Sequence, residues 1–107
     1  MTVEDLQNKD VSISTVWGEI VRIFGIDIFT LVDFWDTDNY SFGFKKGSKL
    51  IYVSTWKSKE YSDSEIICYC EFEIVNELTY HTEKVMKRID AINLSNLIAE
   101  ISIFLDI

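Results

Sequence analysis

Histidine occurs once in this chain, cysteine twice, glycine four times and proline not at all. These scarcities exclude most familiar chemistry. No serine lies in a Gly-x-Ser-x-Gly elbow. The glycines, at positions 18, 25, 43 and 47, are too dispersed to cradle a phosphate in a Walker or dinucleotide loop. Cys68, Cys70 and a distant His81 offer too few ligands for a metal. Neither a metal nor another cofactor is expected, and nothing in the spacing puts His81 beside a cysteine as its base. On one strand the two thiols would point the same way with Cα atoms about 6.5–7 Å apart, at or beyond the reach of a disulfide. Reduced core thiols are therefore expected. No apolar run approaches the roughly 18–20 residues that span a bilayer. The acidic start, Met1 to Leu6, lacks the basic and apolar regions of a signal peptide. A cytoplasmic protein without membrane contact is expected. About five prolines would be typical of this length, and their absence has no physical account.

What is present suits one domain over residues 1–107, with 48% apolar residues. Seven Phe, five Tyr and three Trp supply rings that can each bury roughly 150–250 Å².

Hydrophobic spacing sets the expected elements. Ile13, Val16, Trp17, Ile20, Val21 and Phe24 recur at helical spacing, with Ser12 or Ser14 as cap and Gly25 as stop. Gly18 inside this helix costs about 1 kcal/mol, which close packing on a sheet would explain. Before it, Thr2 offers only a weak cap three residues ahead of Asp5, and the first ten residues are polar. From Ile26 the period becomes two, with Ile28, Thr30, Val32 and Phe34 on one face. Asp36–Asn39 and Lys46–Ser48 read as turns around a strand carrying Tyr40, Phe42 and Phe44. Leu50, Tyr52, Ser54 and Trp56 alternate against Ile51, Val53 and Thr55 in the next strand. After a polar loop, Ile66–Val75 is a fourth strand with Cys68, Cys70 and Phe72 towards the core. Lys84–Asn93 fits a helix through Val85, Met86, Ile89 and Ile92, and a strand through Val85, Lys87, Ile89 and Ala91. A strand is the preferred reading. Ser95 caps a terminal helix with Leu97, Ile98, Ile101, Phe104 and Leu105 in one stripe. The expected class is α+β: an antiparallel meander of four to five strands, with an N-terminal and a C-terminal helix on one face.

The net charge of −8 opposes binding to nucleic acid and favours a basic protein partner, although it also serves solubility. Its distribution says more. Asn39–Lys59 holds five lysines and no acid, whereas Glu60–Glu83 holds seven acids and no lysine or arginine. Glu60, Tyr61, Asp63, Glu65, Tyr69, Glu71, Glu73 and Glu77 place aromatic anchors among carboxylates, a composition fit to grip a basic surface. Asp33, Trp35, Asp36 and Asp38 form a second candidate group. Turn chemistry accounts for its acids better than a calcium loop, whose Gly and distal Glu are missing. Tyr40 and Trp56 near Lys45–Lys59 suggest base stacking, but the net charge and the core-like alternation stand against it.

A chain of this size, acidic, aromatic-rich and without catalytic motifs resembles the immunity proteins of bacterial toxin–immunity pairs, such as contact-dependent growth inhibition and colicin systems. Phe34–Tyr40 and Cys70–Glu73 carry the likeness. It implies a non-enzymatic inhibitor that covers a basic toxin domain, often a nuclease, with acids standing in for phosphates. Two other classes fit the composition: a phage-type inhibitor of a nucleic-acid-binding defence complex, and a small-molecule enzyme with a pocket at His81 or Asp33–Asp38.

Overall fold

Asp10 opens the principal helix. Its carboxylate accepts the Ser12 backbone N–H at 3.0 Å, so the cap is Asp10 rather than Ser12 or Ser14. Helix α2 then runs Val11–Phe24 and stops at Gly25, whose φ of 89° favours glycine. A short helix α1, Val3–Gln7, precedes it and buries Leu6. The structure, a computed structural model, describes residues 3–32, 34–35, 37–56 and 65–107. Thr2 lies outside them.

Five strands follow: β1 (Thr30–Val32), β2 (Ser41–Lys46), β3 (Lys49–Ser54), β4 (Ile67–Val75) and β5 (Thr82–Asn93). All neighbours are antiparallel and the spatial order is the chain order, a meander as expected. Gly47, at φ 61°, makes the tight β2–β3 turn possible. Helix α3 (Leu94–Leu105) closes the fold and is capped by Asn93, not Ser95; the Asn93 side chain accepts the Asn96 N–H at 2.8 Å. At its other end Lys49 Nζ donates to the Phe104 carbonyl at 2.8 Å, putting a cation on the negative pole of the helix.

One face of the sheet is the core. Alternation sends Phe42, Phe44, Ile51, Val53, Cys68, Cys70 and Phe72 to it, where they meet Ile13, Val16, Trp17 and Ile20 of α2 and Leu97, Ile101 and Leu105 of α3. Trp17 lies 5.6–6.0 Å from Phe29, Phe42 and Phe44, ring centre to ring centre. Both cysteines are free and buried, and burial pushes each thiol up to about 12, helped at Cys70 by the negative charge of Glu100. Thiols so placed fill the core and are held in the protonated form at neutral pH. His81 is exposed in the loop between β4 and β5, not beside them.

Three details depart from the sequence reading. The first strand is only three residues long, because Ile26–Ile28 belong to the turn after Gly25 and Phe29 sends its ring into the core. Strand β5 spans twelve residues, and its pairing with β4 shifts register between Cys68 and Cys70, Phe72 and Glu73, and Ile74 and Val75. Each shift inverts the alternation, which explains why Lys84–Asn93 fits two periods. Finally, Gly18 is exposed, and a methyl group there would meet nothing within 4 Å. Packing does not require this glycine. Gly18→Ala is therefore expected to add about 0.5–1 kcal/mol of stability. A thermal melt should show a midpoint raised by a few degrees; an unchanged or lowered midpoint would contradict the open space seen there.

Candidate functional site

The side chains that alternate with the core residues form the opposite, outer face of the sheet, away from α2 and α3. Register places Gly43, Tyr52, Glu71 and Arg88 in one row across four strands. Lys45, Leu50, Glu73 and Val85 form the next row. A small apolar cluster of Val32, Leu50 and Val75, edged by Trp35, Tyr52 and Tyr80, gives this face its own footing.

The six-membered ring of Trp35 sits against Gly43, the one residue of its row that has no side chain. A Cβ on Gly43 would fall 2.2 Å from Trp35 Cζ3 and 2.9 Å from Cε3. The segment carrying Trp35 is held from below by Lys9, whose buried ammonium donates to the Trp35 carbonyl at 2.7 Å and to the Asp38 carbonyl. The Asp38 carboxylate accepts the Tyr40 N–H at 2.9 Å, so this acid performs the turn chemistry expected of it.

From Trp35 a chain of touching rings crosses the face. Tyr80 lies 6.1 Å from Phe34, Phe34 5.8 Å from Trp35, Trp35 4.6 Å from Tyr52, and Tyr52 6.1 Å from Tyr69. All four separations fall in the range favoured by edge and tilted aromatic pairs. Phe34 remains 54% exposed, a large apolar ring at the surface. Tyr80 reaches its place through a left-handed backbone, φ 62°, that a bulky residue adopts at a cost of order 1–3 kcal/mol. Its ring then covers the buried Lys45 ammonium at 4.7 Å.

The ladder ends on carboxylates. The Tyr69 hydroxyl donates to Glu71 Oε1 at 2.5 Å, and Arg88 Nε donates to the same oxygen at 3.3 Å. Burial, then the bond to Glu71 and that carboxylate's charge, push the Tyr69 hydroxyl up to about 12, so it stays a donor at neutral pH. Asp90 adds negative charge near the same hydroxyl. Known proteins give no guide here. The chain matches no family model, no curated protein and no solved structure.

Of the residues singled out by composition, the structure brings together Trp35, Tyr69 and Glu71 on this face. The other described ones stand apart from this group. Glu73 is buried, 6% exposed, and accepts the Thr82 hydroxyl at 2.5 Å. Glu77 is exposed beyond the end of β4 and lies beside Lys46 and Lys49 around the β2–β3 turn. Glu65 is exposed ahead of β4. Glu60, Tyr61, Asp63, Asp33 and Asp36 lie outside the described residues. The base-free run of acids in sequence is thus not a base-free surface, since the pairing of β5 sets Arg88 against Glu71. The lysine-rich stretch is partly internal too, with Lys45 under Tyr80 and Lys49 on α3.

Composition alone missed Phe34, Tyr52, Tyr80, Arg88 and Asp90. Tyr52 was accessible in principle, because it has the opposite parity to Ile51 and Val53. Arg88 and Asp90 depend on the bulges of β5, Tyr80 on its left-handed turn, and Phe34 on the seating of the Trp35 segment against Gly43. Among the described residues no group of three His, Cys, Asp or Glu side chains could hold a metal ion, and no helix is long and apolar enough to cross a membrane. A recess of about 260 Å³ between α1 and α2, walled by Leu6, Trp17, Gly18, Val21 and Ile26, contains no titratable acid or base.

Proposed function

We propose that this chain is a binding protein of the immunity type, which neutralises a basic partner domain, such as a nuclease toxin, by covering it with the outer face of its sheet. One observation carries the reading: five rings in continuous contact cross a sheet face that neither long helix covers, and they end at Glu71 and Asp90. Aromatic rings held rigid by one another give contact area at low entropic cost. The charge of −8 steers a basic partner towards the chain, and carboxylates beside the rings pair with its cations. Aromatic anchors among acids remain the composition expected of the interface. Its centre moves from the Glu60–Glu77 run to Trp35, Tyr52, Tyr69 and Glu71.

The experiment is capture. Tagged wild-type chain drawn from its native host should bring down a basic protein, whereas Tyr52→Ala should not. Equal capture by both would place the interface elsewhere. Glu73 is unsuitable for such a test, because its reversal to lysine would bury an unpaired charge and damage the fold.

A further inference from the structure

We infer that Tyr52, Tyr69 and Glu71 form an arginine-recognition corner, which the chain's own Arg88 fills while no partner is bound. The inference rests on the outer face being the interface and specifies what that interface takes from its partner.

The chemistry of the corner selects a guanidinium. Glu71 faces Tyr52 across β3–β4 and Arg88 across β4–β5, so ring, carboxylate and cation share one row. The Tyr69 hydroxyl fixes the carboxylate by holding Oε1. A planar, weakly hydrated guanidinium can stack on a ring while its N–H groups meet the carboxylate. An ammonium makes the charge contact without the stacking or the fork.

Arg88 shows that a guanidinium reaches this carboxylate, and also that it is loosely held. Its bond to Glu71 runs from Nε alone to Oε1 alone, and its side chain is 60% exposed against 23% for Glu71. The Arg22–Glu19 pair on α2 shows the stronger arrangement within the same chain. There Nε and Nη2 each reach a different carboxylate oxygen, the former at 3.1 Å. A two-pronged grip of that kind outcompetes a single exposed contact. Arg88 therefore acts as a placeholder: it neutralises Glu71 in the free protein, so stray cations gain little there, and it gives way to an arginine presented by the partner.

The test uses the full chain and two synthetic probes of equal charge, hexa-arginine and hexa-lysine, in titration calorimetry at low salt. Wild type should bind hexa-arginine about fivefold more tightly than hexa-lysine. Arg88→Gln should tighten hexa-arginine binding a further two- to fivefold, roughly the worth of one exposed ion pair, with the melting temperature nearly unchanged. The isosteric Glu71→Gln should erase the preference for arginine. Equal binding of the two peptides by wild type would overturn the corner. So would Arg88→Gln that lowers the melting temperature and leaves peptide affinity unaltered, the behaviour of a cross-strand pair that only sets register. If capture of the partner depends on Tyr52 while the peptides bind equally, the corner fails and the outer-face reading stands. If the arginine preference holds while capture ignores Tyr52, the outer-face reading fails instead, and the corner loses its role in recognition.

Discussion

Replacing Gly43 by alanine is expected to destabilise the protein by about 1–3 kcal/mol, the usual cost of forcing one extra methyl group into a filled site. The new carbon would fall 2.2 Å from Trp35 Cζ3, closer than any real contact. Neither party can give way freely. Gly43 is paired on both sides, to Val32 and to Tyr52. The indole is pressed on Tyr52 at 4.6 Å, and its backbone is tied to Lys9. The ring must lift, and the contact with Tyr52 that continues the ladder is lost with it. The melting midpoint should fall by roughly 4–8 °C for each kcal/mol. Near-ultraviolet circular dichroism should lose part of the signal from the Trp35–Tyr52 pair. A variant with unaltered midpoint and spectrum would show that Trp35 does not rest on the sheet. The contrast with Gly18→Ala is instructive, since one methyl group meets open space and the other an indole.

The second large effect concerns binding. Tyr52→Ala removes the ring that links Trp35 on one side to Tyr69 on the other. Truncating an aromatic anchor at the centre of an interface costs about 2–4 kcal/mol, or roughly 30- to 1,000-fold in affinity. Tyr52 also supports the small cluster of Val32, Leu50 and Val75, so its loss lowers stability as well. Phe34→Ala separates the two effects. More than half of that ring is exposed, and its ring contacts are with Tyr80 and Trp35 rather than with Tyr52 or Tyr69. Its removal should leave the melting midpoint nearly unchanged and weaken the captured partner by about tenfold. Measured by surface plasmon resonance against that partner, most of the loss should appear as faster dissociation. Full affinity in both variants would sink the ladder as an interface.

Much of the fold was legible because local periods agree with it. The stripe from Ile13 to Phe24 and that from Leu97 to Leu105 have helical spacing, and the turn-forming compositions of Asp36–Asn39 and Lys46–Ser48 mark off segments of consistent parity in the sequence. Caps were less legible. Asp10 and Asn93 each lie two residues before a serine, and both residue types cap well in sequence. Only the backbone geometry decides between them. Strand β5 was the hardest element, since three register shifts break its alternation and hide which side chains share a face.

The same shifts governed how much of the site could be read. Glu71 and Glu73 look equivalent in sequence, two residues apart on one strand. Pairing makes them different, because Arg88 stands beside Glu71 and the Thr82 hydroxyl bonds to Glu73, which is buried. Tyr69 and Glu71 were visible as neighbours in one candidate group, and Trp35 stood in a second, distant one. That they meet Phe34, Tyr52 and Tyr80 in one line depends on a glycine vacancy, on cross-strand register and on a left-handed turn. None of the three is a property of composition.

The central claim is that a partner covers the outer face of the sheet and leaves the helical face free. Hydroxyl-radical footprinting of the chain with and without its captured partner tests this directly, because the reactive aromatic side chains are the ones in question. Oxidation of Phe34, Trp35, Tyr52 and Tyr69 should fall several-fold in the complex, while Ile23 on α2 and Ile103 on α3, both exposed, keep their reactivity. Protection of Ile23 and Ile103 with the four rings unprotected would contradict the account.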